Sequence, residues 1–173
     1  MKQLVVIGGV SGSGKSTVVA ELSQDLGAEH LALDHFQKPS DECAVDPDGY
    51  IDWEDPANRD VVALLAAIES IWERDQSECI FVEGHTALAY PELREVASLA
   101  IFFASEHPDR ESFRQQHSND PVYEERYFHP GEQRHILPTQ EHADITIDTG
   151  SIGLEAATSL VRLAVALDKS RSS

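Results

Sequence analysis

The stretch VVIGGVSGSGKST, Val5 through Thr17, joins a run of β-branched residues to a glycine-rich turn and then to a segment of helical composition. An apolar run without polar alternation is buried on both faces, as an inner strand of a parallel sheet is. Gly9, Gly14, Lys15 and Ser16 satisfy the pattern G-x-x-x-x-G-K-[ST] in the strand-then-helix context that the pattern requires. Gly12 and Gly14 permit backbone conformations that turn N–H groups inward, and a helix starting near Lys15 adds the positive end of its dipole. The resulting cradle runs over Gly9, Ser11, Gly12, Ser13, Gly14, Lys15, Ser16 and Thr17 and suits the phosphates of ATP. In it Lys15 reaches the β- and γ-phosphates and the Ser16 hydroxyl binds Mg²⁺.

The rest of the chain opposes such a ligand at long range, with 13 Lys and Arg against 31 Asp and Glu for a formal charge of −18. Backbone dipoles, one lysine and a metal ion make a local positive pocket, and screening over roughly 8 Å limits what the remote acidic surface can do. The same acidity argues against nucleic acid or an anionic membrane as partner. At 173 residues the chain suits one domain, residues 1–173. No apolar run approaches the roughly 18 to 20 residues of a membrane span. The apolar start, Leu4 to Val10, lacks a basic leader, and a cytoplasmic protein is expected. Cys43 and Cys79 are far apart without metal-ligand spacing, and the eight histidines fit no standard zinc pattern.

Strand-length apolar runs alternate with segments of helical period, which predicts an α/β fold with a parallel sheet. Candidate strands are Leu4 to Ile7, His30 to Leu33, Cys79 to Val82, Leu99 to Phe103 and Asp144 to Ile147. Candidate helices are Lys15 to Leu26, Pro56 to Arg74, Pro108 to Gln116, Pro121 to His135 and Ile152 to Leu167. Val61, Leu64, Leu65, Ile68 and Trp72 line one face of the second helix and predict core. Gln37 to Asp55 is a long Asp-, Pro- and Gly-containing connection of the functional kind, and the densely charged 105–138 reads as a lid.

Ligands of parallel sheets lie beyond the carboxyl ends of the strands. Asp34 closes HLALD and Glu83 closes CIFVE, so one carboxylate can take a proton from an attacking hydroxyl while the other orders Mg²⁺. The alternative for either is to cap the turn that follows its strand. Arg110 and Arg114, four apart, share a helix face and either meet a transferring phosphoryl group or pair with Glu106 and Glu111.

GGVSGSGKST followed by LALDHFQKP, YIDWEDPANRD, FVEGH and HADITID resembles the uridine kinase and phosphoribulokinase group of P-loop kinases, including the nicotinamide riboside kinases. The resemblance implies a three-layer P-loop fold, a five-stranded parallel sheet in the order 2-3-1-4-5 and a helical lid carrying arginines. It implies transfer of the γ-phosphoryl group of ATP, with Mg²⁺, to a hydroxyl of a nucleoside-like small molecule. Asp34 falls on the family's base and magnesium partner, and Glu83 on the acid of its EG segment. Tyr50, Asp52 and Trp53 fall in a segment near the acceptor, with His35 and Lys38 close to Asp34. An ATP-binding regulatory module on the same scaffold, or a kinase for a non-nucleoside alcohol such as pantothenate, is the alternative. A GTPase-like switch would need an N-K-x-D segment where this chain has TIDTG.

Overall fold

The computed structural model describes residues 2–74, 77–106 and 120–171. Five parallel strands, β1 (Gln3–Gly9), β2 (Glu29–Ala32), β3 (Cys79–Glu83), β4 (Leu99–Ala104) and β5 (Ile145–Asp148), form one sheet in the order β2-β3-β1-β4-β5. The order expected from the family resemblance is the one found.

Alternation along β1 divides the core. Leu4 and Val6 face a layer built by α2 (Val61–Glu73) and α3 (Pro91–Val96), where Leu64, Ile68, Ile71 and Leu93 are buried. Val5 and Ile7 face α1 (Lys15–Leu26) and the C-terminal helix Leu154–Arg171, through Val18, Val19, Leu22, Ala157 and Val161. Both faces of the sheet are therefore covered, which is why its strands read as unbroken apolar runs. Phe81, Phe102 and Phe103 are fully buried, and truncating one to alanine would cost about 3–5 kcal/mol.

Three elements depart from the expected ones. The helix anticipated from Pro56 to Arg74 is interrupted: a 3₁₀ turn spans Pro56–Asn58, Arg59 is extended (φ −112°, ψ 144°), and α2 begins only after Asp60. The Asp60 carboxylate accepts from the N–H of Ala63 at 2.9 Å, a side-chain cap that fixes the start of α2. Residues 121–136 are helical, but π turns at Glu124–Phe128 and Glu132–Ile136 flank Pro130. Proline has no N–H and crowds the preceding turn, so the α ladder cannot run through it. The last predicted helix is split at Gly153 (φ 79°) into a turn, Thr149–Ile152, and Leu154–Arg171. The expected helix from Pro108 to Gln116 falls at residues outside the described ones.

Candidate active site

Gly9, Gly12 and Gly14 have φ of 128°, 76° and 84°, a region that residues with a Cβ rarely adopt. Gly9 is constrained a second time, since a Cβ there would lie 2.2 Å from the carbonyl oxygen of Phe103. The loop is thus pressed onto β4. Gly14 precedes α1 without a side-chain cap, and no acid stands in the first turn, so the positive end of that helix faces the loop. The Lys15 ammonium bends back over the loop to the carbonyl oxygens of Val10 (2.8 Å) and Gly9 (3.1 Å). Ser13 donates to Val10 O at 2.7 Å, and Thr149, from the TIDTG segment, donates to Ser13 O at 2.9 Å.

Beside the cradle, the Ser16 hydroxyl donates to Glu83 Oε1 at 3.1 Å, and His30 Nε2 lies 3.5 Å from the same oxygen. Register explains the meeting, because Glu83 stands opposite both Ile7 of β1 and Ala32 of β2. Asp34 lies on a 3₁₀ turn, Leu33–Phe36, because β2 stops at Ala32, one residue short of the expected end. Its side chain is 62 % exposed and accepts from Arg59 Nη2 at 3.2 Å.

Arg59, Glu54 and His85 complete a cluster that inspection of the sequence did not single out. Arg59 and Glu54 are buried, and the guanidinium lies 5.9 Å from the Trp53 ring. His85 Nε2 is 3.4 Å from Glu54 Oε2, and the Tyr123 hydroxyl donates to Glu54 Oε1 at 3.4 Å. Burial first, then the charges of Asp52 and Asp34, raise the Glu54 carboxyl to about 7 against the pull of Arg59. Burial lowers His85 to about 4, with Arg59 and Lys15 acting the same way and Asp34 opposing. Through the backbone of His85 the cluster adjoins the cradle. The hydrogen bond from Gly9 N to His85 O, at 3.5 Å, ties the two together.

The other candidates are dispersed. His35 is exposed, and Lys38 is half-buried with its N–H on Asn58 O. Tyr50 donates to Asp120 Oδ2 at 3.0 Å, which turns it toward the helical run 121–136. Asp52 stabilises its own turn by accepting from the N–H of Glu54 at 3.0 Å. Trp53 donates its backbone N–H to Tyr123 Oη at 2.9 Å and borders the cluster through its ring. Arg110 and Arg114 lie outside the described residues. Glu54, Arg59 and His85 all stand inside the motifs YIDWEDPANRD and FVEGH, whose clustering was the available signal.

The sheet order, the glycine cradle ending in Lys15 and Ser16, and the acids at the ends of β2 and β3 define a P-loop fold of the three-layer kind. The sequence model of a family described as an AAA domain matches residues 4–101, and the chain belongs to that P-loop family. Nicotinamide riboside kinase 2 of Mus musculus is 33% identical over 86 residues, which cover 49% of this chain and 43% of that protein. The matched stretch thus spans less than half the length of this curated relative. Among solved structures, a shikimate kinase from Acinetobacter baumannii in complex with shikimate superposes with a TM-score of 0.56 at 17% identity, covering 98% of this chain and 96% of the other. A possible uridine kinase from Bacillus stearothermophilus gives 0.56 at 18% identity, covering 85% and 89%. At these identities the structures speak for the fold. No helix among the described residues is long and apolar enough to cross a membrane.

Proposed function

We propose that the chain is an ATP-dependent phosphotransferase that moves the γ-phosphoryl group of ATP to a hydroxyl of a small molecule. The observation that carries this reading is the hydrogen bond from Ser16 of the cradle to Glu83 at the end of β3, next to which β2 ends and leads into the turn that carries Asp34. A carboxylate open to solvent beside a phosphate loop is where a base for an incoming hydroxyl is needed. The curated relative is named for a riboside acceptor, and the superposing structures for a cyclic acid and a nucleoside.

Transfer proceeds in line. The acceptor oxygen bonds to the γ-phosphorus as the bond from that phosphorus to the β,γ-bridging oxygen breaks. ADP leaves with the electron pair, and Asp34 takes the proton. Lys15 swings from the loop carbonyls to the β- and γ-phosphates, and the loop N–H groups hold the chain of phosphates. The hydroxyl of Ser16 and the carboxylate of Glu83, 3.1 Å apart, are hard oxygen donors that would hold Mg²⁺, with Asp34 on the turn after β2 as the further carboxylate. When bound, that ion neutralises charge on the phosphate oxygens. Glu54, His85 and Trp53 border the acceptor, with Asp52, Tyr50, His35 and Lys38 farther out. Arg110 and Arg114 serve as lid arginines on the transferring group.

The test is a coupled ADP-release assay with ATP and Mg²⁺ against nucleosides, nicotinamide riboside, pantothenate and other small alcohols, with Lys15→Ala as control. Acceptor-dependent ADP that disappears in the control supports the reading. ATP binding without stimulation by any acceptor favours a regulatory module.

A further inference from the structure

Arg59 is 3 % exposed, yet among the described residues its side chain makes a single hydrogen bond, from Nη2 to Asp34. Its Nε and Nη1 are buried and have no hydrogen-bond partner among the described residues. An unsatisfied buried donor is costly, and more so when it is charged. Folding has not placed this guanidinium by chance of helix propensity either. The chain interrupts a helix at Asn58, holds Arg59 extended for one residue and restarts at Asp60, which turns the side chain toward Asp34.

The surrounding charges do not answer it. Asp34, its partner, is largely in water, where an ion pair is weak. Glu54, raised to about 7 by burial, is only part ionised at pH 7, and burial keeps His85 neutral there. Arg59 is thus a permanent buried cation beside Asp34, with two nitrogens, Nε and Nη1, unpartnered among the described residues and the Trp53 ring 5.9 Å from its guanidinium. Guanidinium donors in a rigid fork match the paired oxygens of a carboxylate.

Building on the kinase reading above, we infer that the acceptor is a hydroxy acid whose carboxylate is bound by the free donors of Arg59, while its hydroxyl is presented to Asp34. The uncharged acceptors of nucleoside type would leave those donors orphaned. A site built to hydrogen-bond a group rejects the analogue lacking it strongly.

The experiment compares matched acceptors in the ADP-release assay: glycerate with glycerol, gluconate with glucitol, and pantothenate with pantothenyl alcohol, with uridine alongside. The readout is the ratio of kcat/KM within a pair, which cancels any general effect on Asp34. The wild type is expected to favour the acid by about tenfold to a hundredfold in the pair that turns over best. Arg59→Met should abolish that ratio through KM of the acid, and Arg59→Lys, which keeps the charge without the fork, should retain part of it. Because the orphaned donors disappear, Arg59→Met should fold with an unchanged or higher Tm, and Arg59→Lys carries the comparison if it does not. Equal use of both members, a preference that survives Arg59→Met, or turnover confined to uncharged acceptors overturns the inference and leaves the kinase reading standing. ADP release that no acceptor stimulates removes the kinase reading and this inference with it.

Discussion

Asp34 and Glu54 are both carboxylates of the same site, and their surroundings give them opposite characters. Asp34 stands in water beside a guanidinium, whereas Glu54 is shut away from solvent with a tyrosine hydroxyl and an imidazole. The exposed one suits proton transfer, so Asp34→Asn is expected to keep ATP binding while lowering turnover by about 10²–10⁴-fold. Titration of ATP by fluorescence and single-turnover kinetics separate the two effects. For the buried one the consequence is a stability profile. A carboxyl raised from 4.5 to about 7 holds its proton longer in the folded state, so it lowers stability as pH rises through that window. His85, lowered from 6.5 to about 4, does the reverse, because the unfolded chain binds the proton more readily and stability increases with pH. The two slopes oppose each other in the wild type. Glu54→Gln should uncover the His85 slope, with unfolding free energy rising by up to about 3 kcal/mol between pH 4 and 6.5 in urea titrations.

At the scale of elements, the connection 37–55 and the helical run 121–136 are held to each other by polar ties. Asp46 accepts from Arg126 Nη1 at 2.7 Å, from the N–H of Tyr50 at 2.9 Å and from the Tyr127 hydroxyl. These hydrogen bonds hold the Asp46 carboxyl well below the usual carboxylate range. Asp46→Ala removes all three at once, and limited proteolysis should then cut within 37–55 faster while Tm moves little. The strands and α1 were legible in the sequence to within a residue or two, because a two-faced buried sheet leaves unbroken apolar runs and a glycine loop admits few conformations. The break at Arg59 was not. Asn-Arg-Asp within an apolar-periodic segment reads as a solvated helix start, and only the capping of α2 by Asp60 reveals that the preceding residue is extended and buried. Glu54 and His85 were passed over for a related reason. Charged residues in loops are mostly solvated, and burial in this case depends on Tyr123 and Gly131, which arrive from a distant part of the chain: a Cβ on Gly131 would lie 2.3 Å from that of Glu54. Tyr50 and Asp52 show the converse, since proximity in a motif did not determine which way their side chains turned.

For the whole molecule, a charge of −18 surrounds a locally positive cradle. Long-range repulsion slows the approach of ATP, and added salt screens it. The association rate of ATP, measured by stopped flow, is therefore expected to increase as ionic strength goes from about 0.02 to 0.2 M, opposite to what an attractive basic surface would give. The position of β1 has a further consequence. It is the middle strand, bonded to β3 on one side and β4 on the other, and the cradle grows directly from its end. The side proposed for the acceptor instead hangs on β2, an edge strand of four residues, and on the polar ties of 37–55. Central strands open only with global unfolding, whereas edges and loops open locally at much lower free energy. Hydrogen exchange is therefore expected to be faster in β2 and 37–55 than in β1 and the loop that follows it.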